Sequence, residues 1–284
     1  LIKAGHALTV FDLEKGKAQN LIQLGATWAD SMATAVEHAD VVMASLPGPT
    51  EVKQVMLGEE GVLAHARTGC TVIDTSTSAV ELVKELVTVA ESKGIDFLEA
   101  PVTNAVDFAA LGRLSIFVGG SKAAFDKHEA IFKIIGEKIF HVGQAGNGAT
   151  IKLLTNLLWF VSAATIGEGL MLGAKAGIPL ETVWEAIKSS AGNSWVAEHD
   201  VPSIFAGHYD PSFSLALCCK DLRLVNEIAQ SQGYELTMGQ HALELFEKAK
   251  SAYGPQAAEL HVVKLLEDRV GLLLRPPLGT KVTT

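Results

Sequence analysis

Lys152 and Asn156 stand four residues apart in a stretch, GNGATIKLLTNLLW (residues 146–159), that is otherwise almost wholly apolar. In a helix that spacing projects both side chains from one face, one turn above the other. Apolar surroundings disfavour the charged form of a lysine, and with Lys152 expected in the first turn the positive end of the helix dipole adds to the effect. Such an amine can accept and return a proton near neutral pH. The plainer alternative is a lysine whose stem crosses an apolar helix so that its ammonium reaches water, with Asn156 merely exposed.

Little else competes for a chemical role. None of the nine histidines shows HxxxH or Cys/His ligand spacing, and His199 to His208 is too loose to hold a metal, so the expected metal set is none. No Gly-x-Ser-x-Gly elbow supports a serine hydrolase. Cys70 and the adjacent Cys218 and Cys219 form no CxxC pattern and no even disulfide framework, which points to buried thiols in a reducing compartment. A net charge of -9 without a basic stripe argues against nucleic-acid binding. The longest charge-free apolar run, residues 157–167, is far short of the roughly 20 residues of a membrane span, so no membrane partner is expected. With 48% hydrophobic and 19% charged residues over 284 positions, a folded chain of two domains is expected.

The elements that must carry Lys152 follow from pattern. Two glycines open its stretch, helix formers run on to Ala176, and Gly177 with Pro179 ends it: one long helix. Ahead of it, strands and helices alternate. The opening six residues read as a helix end with Gly5 as cap, then a strand at 7–11 followed by Asp12. Further strands are predicted at 40–45, 70–74, 95–100, 114–118 and 138–142, with helices at 15–24, around 36, 50–56, 79–92 and 121–135. Such alternation means a doubly wound parallel sheet, an α/β fold whose ligands meet the loops at the carboxyl ends of the strands. Beyond the long helix, helices are predicted at 180–190, 196–205, 215–232, 236–253 and 255–274, with a weakly structured tail at 275–284. The expected division is therefore 1–145 and 146–284, the second part all-α. The run 153–172 is apolar on nearly every side, and Gly167, Gly169 and Gly173 would let a second helix approach, so a homodimer or homotetramer is expected.

In this order the motifs resemble the β-hydroxyacid dehydrogenase family, which includes 3-hydroxyisobutyrate dehydrogenase and, more distantly, 6-phosphogluconate dehydrogenase. The resemblance covers nearly the whole chain. Ser45-Leu46-Pro47 matches a Leu-Pro loop, Asp74-Thr75-Ser76-Thr77 an Asp-Ser-Ser-Thr segment, residues 146–156 a Gly-x-Gly-x-x-x-Lys-x-x-Asn-Asn signature, and Lys220-Asp221-Leu222 a Lys-Asp-Leu. The resemblance implies Lys152 as catalytic acid/base and Asn156 as a substrate-orienting amide. It implies Leu46, Pro47 and Thr77 as cofactor contacts and Lys220 as a contact at the nicotinamide end. Ser76, Thr103 and Asn104 would meet the substrate, a small hydroxy acid or its semialdehyde. Asp12, at the end of a strand and followed by Leu13 rather than an arginine, suits ribose hydroxyls and selects NAD, with NADP the alternative.

Three departures shape what is expected. The family's first strand and Gly-x-Gly-x-x-Gly phosphate loop would precede Leu1, so the chain as written should hold a dinucleotide poorly. Thr103-Asn104-Ala105 replaces a Ser-Gly-Gly loop, which keeps the substrate's identity open. Thr155 replaces the first of two asparagines, leaving Asn156 to act alone. Two other readings stand beside a dehydrogenase: an NADP-dependent imine reductase, a related class that typically lacks the lysine, and a non-catalytic binding protein descended from a dehydrogenase. The expected location is the cytoplasm, or a mitochondrion if a transit segment lies upstream.

Overall fold

The structure, a computed structural model, describes residues 1–276 and divides into two compact units, Leu1–Lys152 and Leu153–Thr284. The tail predicted at 275–284 lies outside the described residues from 277 onward. The N-terminal unit opens with one 3-10 turn, Ile2–Ala4, which Gly5 ends in the left-handed conformation. Strand β1 (Thr9–Val10) pairs in parallel with β2 (Thr27–Trp28), a strand not anticipated from sequence, and α1 (Gln19–Gln23) connects them. Helix α2 (Met32–Val36) starts at Ser31, whose hydroxyl accepts the N–H of Thr34. A six-stranded sheet follows, built of β3 (Val41–Ala44), β4 (Thr71–Asp74), β5 (Asp96–Glu99), β6 (Val102–Thr103), β7 (Leu114–Gly120) and β8 (Gly136–Gly143). Its helices are α3 (Pro49–Leu57), α4 (Val62–His65), α5 (Val80–Ser92), α6 (Ala105–Ala110) and α7 (Lys122–Ile135).

Residues of β4, and those of β5 after the exposed Asp96, are buried on both faces, as expected of strands covered by helices on either side. Val72 and Phe97 pack with Val52, Met56 and Leu86 of α3 and α5, while their neighbours Ile73 and Leu98 pack the other way with Phe125 and Phe132 of α7. The sheet is parallel through β3, β4 and β5 and again between β7 and β8, but β7 runs antiparallel to β5 and β6. The expected doubly wound, Rossmann-like sheet is thus present, with β7 reversed within it. Between β5 and β7 the chain spends two residues on β6 and only six on α6, too little helix for the crossover that a parallel return requires.

Helix α8 (Asn147–Lys175) begins in the N-terminal unit and continues into the C-terminal one. Its 29 residues are long and apolar enough to cross a membrane by composition alone, yet Leu153, Phe160 and Leu170 are core residues of the protein itself. The C-terminal unit adds α9 (Leu180–Lys188), α10 (Trp195–His199), α11 (Val201–Ala206), α12 (Leu215–Ser231), α13 (Thr237–Tyr253) and α14 (His261–Val270) around Phe160, Trp184, Ile204, Leu222, Phe246 and Val263. The single helix predicted at 196–205 is broken at Asp200, because Pro202 has no N–H to continue α10 and instead starts α11. The helix predicted at 255–274 shrinks to ten residues, since 255–260 bond back to Leu215 and Ala216. Arg275 is no part of a loose tail: its guanidinium donates to the Ile204 carbonyl at 2.7 Å and to Glu267 at 3.0 Å. Gly167 and Gly173 are likewise used within the unit, Gly167 against Val263 and Gly173 against Val183, rather than kept open for another copy.

Candidate active site

Lys152 is reached through an anchor that sequence reading missed. Glu99, the last residue of β5, accepts the N–H groups of Gly146, of Gly148 at 2.9 Å and of Ala149 at 3.0 Å, so one buried carboxylate caps the first turn of α8. These N–H groups have no partner within the helix, and a carboxylate at the positive end of the dipole is doubly favoured. The space is made by glycine. A Cβ on Gly148 would meet the Phe117 carbonyl and Glu99 itself, and one on Gly119 would collide with the same carboxylate. The Gly-x-Gly of the signature thus makes room for a cap. Burial, with a smaller push from Asp74, outweighs the pull of the three N–H donors and leaves the Glu99 pKa raised to about 7. In sequence Glu99 looks like any strand end, and its only signal is a carboxylate closing an apolar run.

Lys152 is the sixth residue of α8 and 7% exposed. It therefore lies in the second turn, not the first as the sequence suggested, beyond the main reach of the terminal charge. Asn156 follows one turn later, 2% exposed, and its Nδ2 donates to Asp221 Oδ2 at 2.6 Å. The carboxylate fixes which end of the amide faces it, leaving the carbonyl oxygen turned away. Lys220 Nζ sits 3.1 Å from Asp221 Oδ1, close enough to pair in charge but off the hydrogen-bonding line, so that buried oxygen keeps unused capacity. Asn156, Asp221 and Lys220 are thus brought together, and Asp221 is a member that sequence reading named only as part of a motif.

Within the N-terminal unit the predicted residues gather at the carboxyl ends of β3, β4 and β5. Leu46 N donates to Ser76 Oγ at 2.8 Å, tying the loop after β3 to the loop after β4, and Ser76 N donates to Asp74 Oδ1 at 3.0 Å. Pro47 is exposed and Thr77 half-buried beside them. Thr103 lies in β6 opposite Ser115, and Asn104 Nδ2 donates to Ser115 Oγ at 3.2 Å. Asn104 also holds a left-handed backbone, φ 85, the conformation glycine adopts most easily and asparagine next. Asp12 stands beyond the shorter sheet, exposed two residues past the end of β1, its Oδ1 accepting Glu14 N at 2.8 Å.

This end of the sheet suits a dinucleotide. Helices α3 and α5 begin at Gly48 and Ala79 without a side-chain cap, so no N-cap side chain occupies their first N–H groups, the kind of group that can hold an anion. Between them Ser78 Oγ is buried with no hydrogen-bond partner among the described residues. Leu46, Pro47 and Thr77 lie on the same two loops.

Comparison with known proteins agrees. Residues 1–143 match the NAD binding domain of 6-phosphogluconate dehydrogenase, and residues 146–266 match the NAD-binding domain of NADP-dependent 3-hydroxyisobutyrate dehydrogenase. The chain is 32% identical to 2-(hydroxymethyl)glutarate dehydrogenase of Eubacterium barkeri over 273 residues, 96% of this chain and 91% of that one. It is 34% identical to the NAD-dependent L-serine dehydrogenase of Pseudomonas aeruginosa over 253 residues, 87% and 85% of the two chains. The solved 3-hydroxyisobutyrate dehydrogenase of Mycobacterium tuberculosis with L-serine superposes with a TM-score of 0.86 at 30% identity, covering 93% of this chain and 92% of that one. The chain belongs to the β-hydroxyacid dehydrogenase family, NAD(P)-dependent enzymes that act on hydroxyl groups.

Proposed function

We propose that this protein interconverts a small β-hydroxy acid and its semialdehyde, with NAD as cofactor and Lys152 as general acid/base. The observation that carries the reading is the buried Lys152 on a helix locked at its start by Glu99, with Asn156 one turn on and oriented by Asp221. When bound, the nicotinamide supplies the acceptor for the hydride leaving the carbinol carbon. Lys152 Nζ takes the hydroxyl proton as that hydride departs, and returns a proton to the carbonyl oxygen in reduction. Asn156 orients that oxygen. The substrates named for the three relatives share a hydroxymethyl group on the carbon bearing a carboxylate, and we assign that unit to the substrate here. Ser76, Thr103 and Asn104 are proposed to face its acidic end, through neutral donors. Leu46, Pro47 and Thr77 are assigned to the cofactor and Lys220 to its nicotinamide end.

Asp12 is assigned to the ribose hydroxyls, which favours NAD because a carboxylate repels a 2′-phosphate; kcat/KM with each cofactor decides it. A dimer or tetramer remains proposed, now because Leu154, Leu158 and Leu172 of α8 are 45%, 60% and 74% exposed, and light scattering tests it. Three buried free thiols suit a reducing, cytoplasmic setting.

The decisive test is turnover of Lys152→Ala and Lys152→Arg. Loss of a general base should lower kcat by roughly 10² to 10⁴-fold. Near wild-type kcat with an unchanged pH profile in both variants would remove Lys152 from the chemistry.

A further inference from the structure

Three carboxylates from separate segments of the C-terminal unit converge. Asp200 lies at the corner between α10 and α11, Asp210 in the loop before α12, and Glu259 in the turn before α14, and an oxygen from each lies within 4.8 Å of the others. Acidic clusters at a surface are ordinary, but this one is enclosed. Glu259 is 2% exposed, and among the described residues neither of its oxygens has a hydrogen-bond partner. Asp200 is buried as well, with Oδ2 taking the indole N–H of Trp159 at 3.0 Å. Asp210 is half-buried, takes Ser212 N at 2.9 Å, and leaves a way in from solvent. The backbone holds the arrangement still, because Glu259 N donates to the Phe213 carbonyl at 2.9 Å and Leu260 N to that of Tyr209 at 3.3 Å.

The charges that act on Glu259 beyond its burial are those of Asp200 and Asp210, both of its own sign. A buried carboxylate with no donor and two like-charged neighbours survives only protonated or joined to a cation. We propose that Asp200, Asp210 and Glu259 bind one divalent cation of the hard, oxygen-preferring class, Mg²⁺, Mn²⁺ or Ca²⁺, which pins the loop before α12 and the turn before α14 to the α10–α11 corner. The set offers oxygen alone, with no imidazole or thiolate, and that selects this class. Three oxygens within 4.8 Å of one another are close enough to share one such ion, since ligands at about 2.4 Å from a Ca²⁺ stand at most about 4.8 Å apart. Waters entering past Asp210 complete the shell. The role is structural and is independent of the proton transfer assigned to Lys152. The spacing of 200, 210 and 259 hides the set from any sequence motif.

The test uses the whole protein, stripped with a chelator and then dialysed free of it, and titrated with MgCl₂, MnCl₂ or CaCl₂ alone. At least one ion should raise Tm on the order of 5 °C at saturation, with one ion bound per chain by calorimetry. Glu259→Gln should abolish that rise while matching or exceeding the stripped wild type in Tm, since a neutral amide replaces a buried acid of the same shape. Asp210→Asn, on the half-buried member, serves as a second variant should Glu259→Gln fail to fold. No saturable shift with any of the three ions, or an equal shift in the variants, would overturn the proposal and leave a cluster that shares protons only.

Discussion

Gly148 N donates to Glu99 Oε1 at 2.9 Å across a gap that a side chain could not share: a Cβ there would stand 2.5 Å from the Phe117 carbonyl oxygen and 3.1 Å from the Glu99 carboxyl carbon. Gly148→Ala should therefore lift the first turn of α8 off its cap. The expected cost is about 1 to 3 kcal/mol, the usual range for an overpacked buried site. Because Lys152 follows one turn later, kcat should fall with it. Urea unfolding with activity measured on the folded fraction checks both, and an alanine variant as stable as wild type would show that the gap has slack.

Glu99 also gives the protein a pH dependence. Its folded pKa of about 7 lies above the ordinary 4.5, so between those values the folded protein keeps a proton that the unfolded chain has released. The contribution is fully present below pH 4.5 and is lost as pH rises through about 7. Its size is up to about 3 kcal/mol. Asp200, raised to about 6, acts in the same direction, so the comparison must be between wild type and Glu99→Gln. The variant should show a shallower fall in unfolding free energy from pH 5 to pH 8; parallel slopes would mean that Glu99 does not titrate in that window.

Asp221 turns Asn156, and a positioning role predicts a specific kinetic pattern. Asp221→Asn keeps the shape but lets the Asn156 amide face either way, since both partners can then donate and accept. We expect kcat to drop by roughly 10 to 100-fold, the scale of lost orienting contacts, with a smaller change in KM. Asn156→Ala in the same background should add little further. If the two losses multiply instead, Asp221 acts by another route than Asn156.

How much of this was legible in sequence depended on whether the information was local. The helix through Lys152 and Asn156 was legible because its unbroken run of helix formers and its Gly and Pro punctuation lie within one segment. Alternating strands and helices gave the layered N-terminal unit for the same reason. The partners that hold the site were not legible. Glu99 is 49 residues from Gly148, and Asp221 is 65 from Asn156, and only folding brings them together. The reversed β7 was missed because the length of a connection says less than what that connection spends on its own structure. The break at Asp200 was missed although Pro202 announced it, because the apolar pattern of 196–205 was followed across a residue that cannot extend a helix.

Asn104 offers the sharpest test of substrate recognition, because its backbone and its side chain can be separated. At φ 85 the position suits glycine, so Asn104→Gly should fold at least as well as wild type, whereas Asn104→Ala should lose on the order of 1 kcal/mol to strain. Both remove the amide that bonds Ser115 Oγ, so any effect they share on catalysis belongs to the side chain and any difference belongs to the backbone. If the amide meets the acidic end of the substrate, both variants should lose kcat/KM for β-hydroxy acids and discriminate less against simple alcohols. Sites built to hydrogen-bond a polar group reject analogues lacking it by as much as about 10⁴-fold, so the narrowing should be large. Ser115→Ala adds a third arm: it frees the Asn104 amide without removing it, and recognition of the acid should persist. Equal turnover of alcohols and hydroxy acids by wild type would instead mean that Thr103 and Asn104 shape the loop and read no anion.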